Sequence, residues 1–116
     1  MEITKETQLT DEVIKALKKE HKKLFKTTMA DDTVVVWHPL NRKEYKELMK
    51  AYEDVADRDE RVWLREEEAC RLAIVYPDRE TVADLVQNSA GWATLLSDEI
   101  YEKSGFKLLD NETEQL

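Results

Sequence analysis

Residues 34–49, VVVWHPLNRKEYKELM, hold a strand, a stop, a helix cap and an amphipathic helix within one short stretch. Val34, Val35, Val36 and Trp37 form a β-branched and aromatic run suited to a pleated, half-buried surface. Pro39 ends it. Asn41 offers a side-chain oxygen to the free backbone N–H groups of the next helix, and Glu44, three residues on, completes a capping box. From there Tyr45, Leu48, Met49, Tyr52 and Val55 describe one apolar face of a helix from Arg42 to about Asp54, with Lys43, Glu44, Lys46, Glu47 and Lys50 on the other.

Working outward toward the N-terminus, Lys26 to Met29 and Thr33 to His38 read as two strands joined by a turn at Ala30, Asp31 and Asp32, a β-hairpin. A lone hairpin is marginal in water, so flanking helices must support it. Thr10 stands at an N-cap position before a helix predicted over Asp11 to Leu24, with Val13, Ile14, Leu17, His21 and Leu24 on its apolar side. Lys15, Lys18, Lys19, Lys22 and Lys23 cover the rest, a solvated face or a docking surface for something acidic.

Toward the C-terminus, Asp57 to Asp59 read as a linker and a third helix is predicted from about Glu60 to Val75, stopped by Tyr76 and Pro77. Its apolar arc is broad, as in a helix packed on two sides. Asp78 caps a short helix from about Arg79 to Gln87, and residues 88–91 break the chain before a last helix from about Gly91 to Ser104. Gly105 is placed to close that helix in the left-handed conformation, with Phe106 folding back on the last turn. These elements predict an α+β fold, mostly α, in which an N-terminal helix and a β-hairpin pack on a bundle of about four helices. Residues 1–106 are expected to form a single globular domain and residues 107–116 a mobile acidic tail.

At 116 residues the chain is long enough to bury a core without disulfides or a structural metal. Only 2 glycines and 2 prolines are present, too few for the frequent turns of an all-β sandwich. The net charge of −8 is uneven: residues 1–50 carry +2 and residues 51–116 carry −10. Such an acidic balance argues against nucleic-acid binding, which rests on accumulated positive charge. Cys70 is the single cysteine, which excludes a disulfide framework within one chain and suits a reducing cytoplasm. The start, MEITKETQLT, lacks the basic and apolar regions of a secretion signal, and no run is apolar enough for a membrane span. A cytoplasmic location is the expectation.

A catalytic site needs a nucleophile with a base, paired carboxylates in a pocket, or metal ligands at workable spacing. None stands out. Glu66, Glu67 and Glu68 lack the Glu-x-x-His partner of a di-metal carboxylate site and read as a solvated helix face. Asp31 and Asp32 lack the alternating acids, glycine and closing glutamate of a calcium loop. Gly91 and Gly105, the only glycines, make no phosphate-binding loop. His21 and His38 read as structural, and Cys70 as a small core residue. The expectation is therefore no enzyme, no metal and no cofactor. Trp37, Trp63 and Trp92, from three different elements, form either core or a partner surface, because tryptophan and tyrosine also anchor interfaces.

Two segments carry a resemblance. WHPLNRKEYKELM (residues 37–49) and ACRLAIVYPDRETVADLVQNSAGWATLLSDEIYEKSGF (residues 69–106) resemble the small tail assembly chaperones of tailed bacteriophages. In that family a strand leads through a polar cap into an Arg-Lys-Glu-Tyr helix, and a later helix ends in Tyr-Pro before a capped short helix and a last helix closing on Ser-Gly-Phe. The break at residues 88–92, NSAGW, departs from the family's more usual Tyr-Pro-Gly form. The resemblance implies a non-catalytic protein that binds the long, apolar, helical tape-measure protein in the host cytoplasm and keeps it soluble until the tail tube forms around it. Homo-oligomerisation along the client is a further implication. The family pattern names no binding residues; we assign the client groove to Trp37, Tyr45, Met49, Tyr52, Trp63 and Trp92 on residue type alone. Two alternative roles are a small virion connector and a phage-encoded inhibitor of a host protein.

Overall fold

A computed structural model describes residues 1–106 and 111–116. The chain runs α1 (Asp11–Glu20), β1 (Phe25–Thr28), β2 (Val34–Trp37), α2 (Arg42–Ala51), α3 (Arg58–Ala73), β3 (Ile74–Tyr76), α4 (Arg79–Asn88) and α5 (Trp92–Lys103). The α+β, mostly helical class expected from the sequence is the class observed, with one addition: the sheet has three strands, not two. Its order is β1-β2-β3, antiparallel throughout.

The third strand arises where a helix was expected to continue. Ile74 leaves the helical conformation with φ −73° and ψ 127°, and Ile74, Val75 and Tyr76 pair with the free edge of β2. Three β-branched or aromatic residues favour the extended form once an edge is available. The register places Val36 opposite Tyr76 and Trp37 opposite Ile74, with an irregularity between, and His38 donates its backbone N–H to the Ala73 carbonyl at 2.9 Å. The first helix also ends earlier than its apolar spacing suggested, at Glu20, because His21 turns extended (φ −132°, ψ 130°) to lead into β1.

Burial of β2 explains why its sequence is apolar without alternation. Val35 and Trp37 point into the main core with Leu40, Leu48, Ala69, Cys70, Ala73, Leu96 and Ile100. Val36 points the other way, onto Val13 and Leu17 of α1, with Leu24, Val75 and Tyr76 around them. The sheet is thus a middle layer with α1 on one face and the helices α2–α5 on the other. A central strand covered on both faces has no solvent side on which to place polar residues.

Local signals set the boundaries. Thr10, Asn41, Asp57 and Asp78 each accept a hydrogen bond from the backbone three residues on, and Asn41 and Glu44 form the full capping box. Asp57 is a cap, not linker, so α3 starts at Arg58. In the hairpin, Phe25 pairs with Trp37 and Thr28 with Val34. The turn is closed by Met29 N–H to the Thr33 carbonyl (2.8 Å) and by the Asp31 carboxylate, which accepts from Thr33 N–H (3.0 Å). At the end of α5, Gly105 takes φ +104°, its N–H donates to the Glu102 carbonyl, and Phe106 N–H donates to Tyr101. This is a Schellman closure. Phe106 then packs edge-on against Tyr101 and against Tyr45 of α2. Of the tail expectation, residues 107–110 lie outside the described residues, and residues 111–116 form neither helix nor strand and are exposed.

Candidate protein-binding trough

Helices α3 and α4 run in opposite senses from the two ends of the β3 connection, and between them lies an open trough. Two cavities form it, of about 270 and 370 Å³, which share Glu67, Val86 and Gln87 and so are continuous. From α4 come Arg79, Val82, Ala83 and Val86, spaced so that one helical face points into the space. From α3 come Trp63, Glu67 and Arg71, again on a single helical face, and the start of β3 adds Ile74. Ala90, Ala93 and Thr94 close the far end beneath Trp63. The end near β3 is lined mainly by apolar surface, and the Trp63 end mainly by polar surface.

At the end near β3 stand Arg71 and Arg79. Arg71 donates from Nε to Glu68 at 2.8 Å, and this pairing raises its already high pKa. Arg79 makes no hydrogen bond or ion pair among the described residues. Toward the Trp63 end stands Glu66, which accepts a hydrogen bond from the Thr94 hydroxyl, and Glu67 lies where the two cavities meet. Trp63 is 57% exposed, whereas the other two tryptophans are at 1% and 3%.

The six residues assigned to a groove on residue type do not come together. Trp37 is in the core, stacked on Phe25 at 4.9 Å, with its indole N–H donated to Thr27 Oγ1 at 2.9 Å. Trp92 is in the core as well, its indole nitrogen unpartnered among the described residues. Tyr45, Met49 and Tyr52 share a face of α2, where Tyr45 packs on Phe106 and Tyr52 donates to Glu68 at 3.3 Å. The Met49 carbonyl accepts from Arg65 on that same flank of α3. Trp63 faces the opposite flank, toward α4. Of the six, only Trp63 borders the trough. Val82 and Val86 were expected to face inward from α4, and neither they nor Arg71 and Arg79 were assigned to a groove.

Other groups weighed as chemistry sit in structural roles. Cys70 is fully buried, its Sγ–H directed at the Ala93 carbonyl (3.6 Å), and burial pushes the thiol up to about 12. His38 stacks on His21, with Nδ1 3.0 Å from the Pro39 carbonyl oxygen. Burial, followed by the charge of His38, lowers the pKa of His21. The acidic triplet is not simply solvated: Glu66 and Glu68 are half-buried and bonded as described, and Glu67 alone is exposed. Among the described residues no group of three His, Cys, Asp or Glu is placed to hold a metal ion, and no helix is long and apolar enough to cross a membrane. Comparison with protein-family models, with curated proteins and with solved structures finds no match.

Proposed function

We propose that this protein is a non-catalytic binder of an apolar helical client, acting in the host cytoplasm as a tail assembly chaperone that keeps the tape-measure protein of a tailed bacteriophage soluble. The observation that carries the reading is the trough between α3 and α4, apolar along Ile74, Val82, Ala83 and Val86 and reaching an exposed tryptophan at its more polar end. An amphipathic or apolar helix laid into such a groove buries its stripe there, while the acidic outer surface of the complex keeps it dispersed. The sequence resemblance of residues 37–49 and 69–106 supplies the identity of the client. No cofactor, metal or nucleic acid enters this reading, and several copies along one client would form the oligomer.

Co-expression with a candidate tape-measure protein, followed by size exclusion and light scattering of the soluble fraction, tests it. Co-elution in a large complex that retains an otherwise insoluble client supports the proposal and gives its stoichiometry. A client left in the pellet removes it, and presence of the protein in purified virions would favour a connector role instead.

A further inference from the structure

We infer that a second copy of this chain docks on the lysine face of α1 through the acidic link between α2 and α3, so that free copies join head to tail. The inference goes beyond the client reading, because the contact lies between copies and needs no client.

The basic side is a strip. Lys15, Lys18, Lys19, Lys22, Lys23 and Lys26 are all exposed, and none of them makes an ion pair or a side-chain hydrogen bond among the described residues. Glu20, the only acid among residues 13–28, is taken by the amino group of Met1. Val13 and Leu17 face the sheet from the other side of the helix, which turns the lysines outward. A chain of net charge −8 thus holds one uncompensated cationic face.

The acidic side is the densest run of carboxylates in the chain. Residues 53–60 carry Glu53, Asp54, Asp57, Asp59 and Glu60 against one cation, Arg58, and all six are exposed. Asp57 caps α3, and the carboxylates of the other four have no partner among the described residues.

The two patches do not meet within one chain. The α1 helix covers one face of the sheet, whereas α2 and α3 belong to the layer on the other. Their charges are therefore left for a neighbour. Repulsion between two chains of net charge −8 opposes every approach except the one that sets strip against cluster, so the overall charge selects the orientation. An isologous dimer through α1 sets lysines against lysines. A contact between different patches is heterologous: it leaves a strip free at one end and a cluster at the other, and growth continues into chains unless a rotation closes a ring.

Sedimentation velocity of the free chain tests this. At about 0.05 M salt the weight-average mass is expected to climb with concentration to about twice that of one chain or beyond, and at about 0.5 M, where exposed charges are screened, to return to one chain. Two exposed variants separate the patches: Lys18→Glu with Lys19→Glu and Lys22→Glu, and Glu53→Lys with Asp54→Lys. Each alone is expected to stay monomeric. Their mixture is expected to associate again, since the intact cluster of one meets the intact strip of the other. Both variants keep a net negative charge, so general attraction does not account for that recovery, which also shows that both are folded. Glu112→Lys with Glu114→Lys changes the charge equally, away from both patches, and is expected to associate like wild type.

A wild type that is monomeric at both salt concentrations overturns the inference, and so does association that salt leaves undiminished. A mixture that stays monomeric removes the pairing of strip with cluster. Equal loss in the Glu112 and Glu114 variant replaces the patches with diffuse charge. A monomeric wild type that binds vesicles of anionic lipid gives the strip to a lipid surface instead. Retention of a tape-measure client in co-expression is decided separately, since a monomer can hold a client and copies can associate without one.

Discussion

The imidazole rings of His21 and His38 lie face to face, 4.7 Å between centroids and 9° between planes, where the end of α1 meets the end of β2. Two neutral rings stack without penalty; two imidazolium ions in that geometry repel. Burial and then the neighbouring His38 lower the pKa of His21, while Glu20 and Glu44 act in the opposite direction and the N-terminal amine adds to the lowering. With the folded pKa below the unfolded value, the unfolded chain binds more protons over the interval between them. The contribution is therefore complete above the unfolded value of about 6.5 and is lost as pH falls through the folded value. The melting temperature is expected to drop as pH falls below about 6.5, a fall that begins above the range in which carboxylates titrate. His21→Gln should flatten that slope. Thermal unfolding of both proteins by circular dichroism checks it, and equal slopes would refute the assignment.

Trp37 and Thr27 make a second testable pair. The indole N–H is held inside the hairpin by one acceptor, Thr27 Oγ1 at 2.9 Å, and the same hydroxyl donates to Glu99 at 3.2 Å. Thr27→Val keeps shape and β-propensity but leaves the buried donor unsatisfied, at a cost of about 1–3 kcal/mol. The same change at Thr28, exposed and next in the strand, is expected to be close to neutral. Urea denaturation of the two variants measures the difference. Combining Thr27→Val with Trp37→Phe should recover part of what the hydrogen bond contributes, because no donor is then stranded.

Legibility of the chain follows from the range of the forces involved. Caps at Thr10, Asn41 and Asp78, and the closure at Gly105, are local and stand in the sequence three or four residues from what they bond. The strand at Ile74–Tyr76 is not local. Its residues continue the apolar stripe of α3, and only the free edge of β2, far away in sequence, turns them extended. Likewise Trp37, Trp63 and Trp92 are equivalent by residue type, and the packing of α3 on α5 and of the hairpin on Phe25 decides which one is left outside. The trough was invisible for the same reason: it is a space between two helices whose spacing no periodicity records.

Cys70 is expected to be inert in the native protein. Its thiol is fully buried, and desolvation, with the charges of Glu66 and Glu67 behind it, pushes its pKa up to about 12. The reactive thiolate is then scarce at about pH 8, where an ordinary cysteine is partly ionised. Alkylation with iodoacetamide, read by mass spectrometry, should proceed only as fast as the core around Ala93 opens and become rapid in denaturant. Fast stoichiometric labelling of the folded protein would contradict the placement.

The reciprocal bonds between Asn41 and Glu44 determine how firmly α2 starts. Asn41 Oδ1 accepts from Glu44 N–H at 2.8 Å, and Glu44 Oε1 accepts from Asn41 N–H at 3.0 Å. The residue just before the cap is also tied down, since Leu40 N–H donates to Ser104 Oγ at 2.8 Å, and that hydroxyl donates to the Ile100 carbonyl at 2.6 Å. Entry into α2 is thus anchored to the end of α5. Asn41→Ala removes one acceptor and is expected to cost about 1 kcal/mol, whereas Asn41→Ser or Asn41→Asp, which keep a capping oxygen, should cost little. Ser104→Ala strips the acceptor from a half-buried backbone N–H and is expected to destabilise by about 1–3 kcal/mol. If the two ends form one coupled junction, the double variant departs from additivity by more than about 0.5 kcal/mol in denaturant unfolding. Simple addition would show that the cap and the α5 anchor act separately.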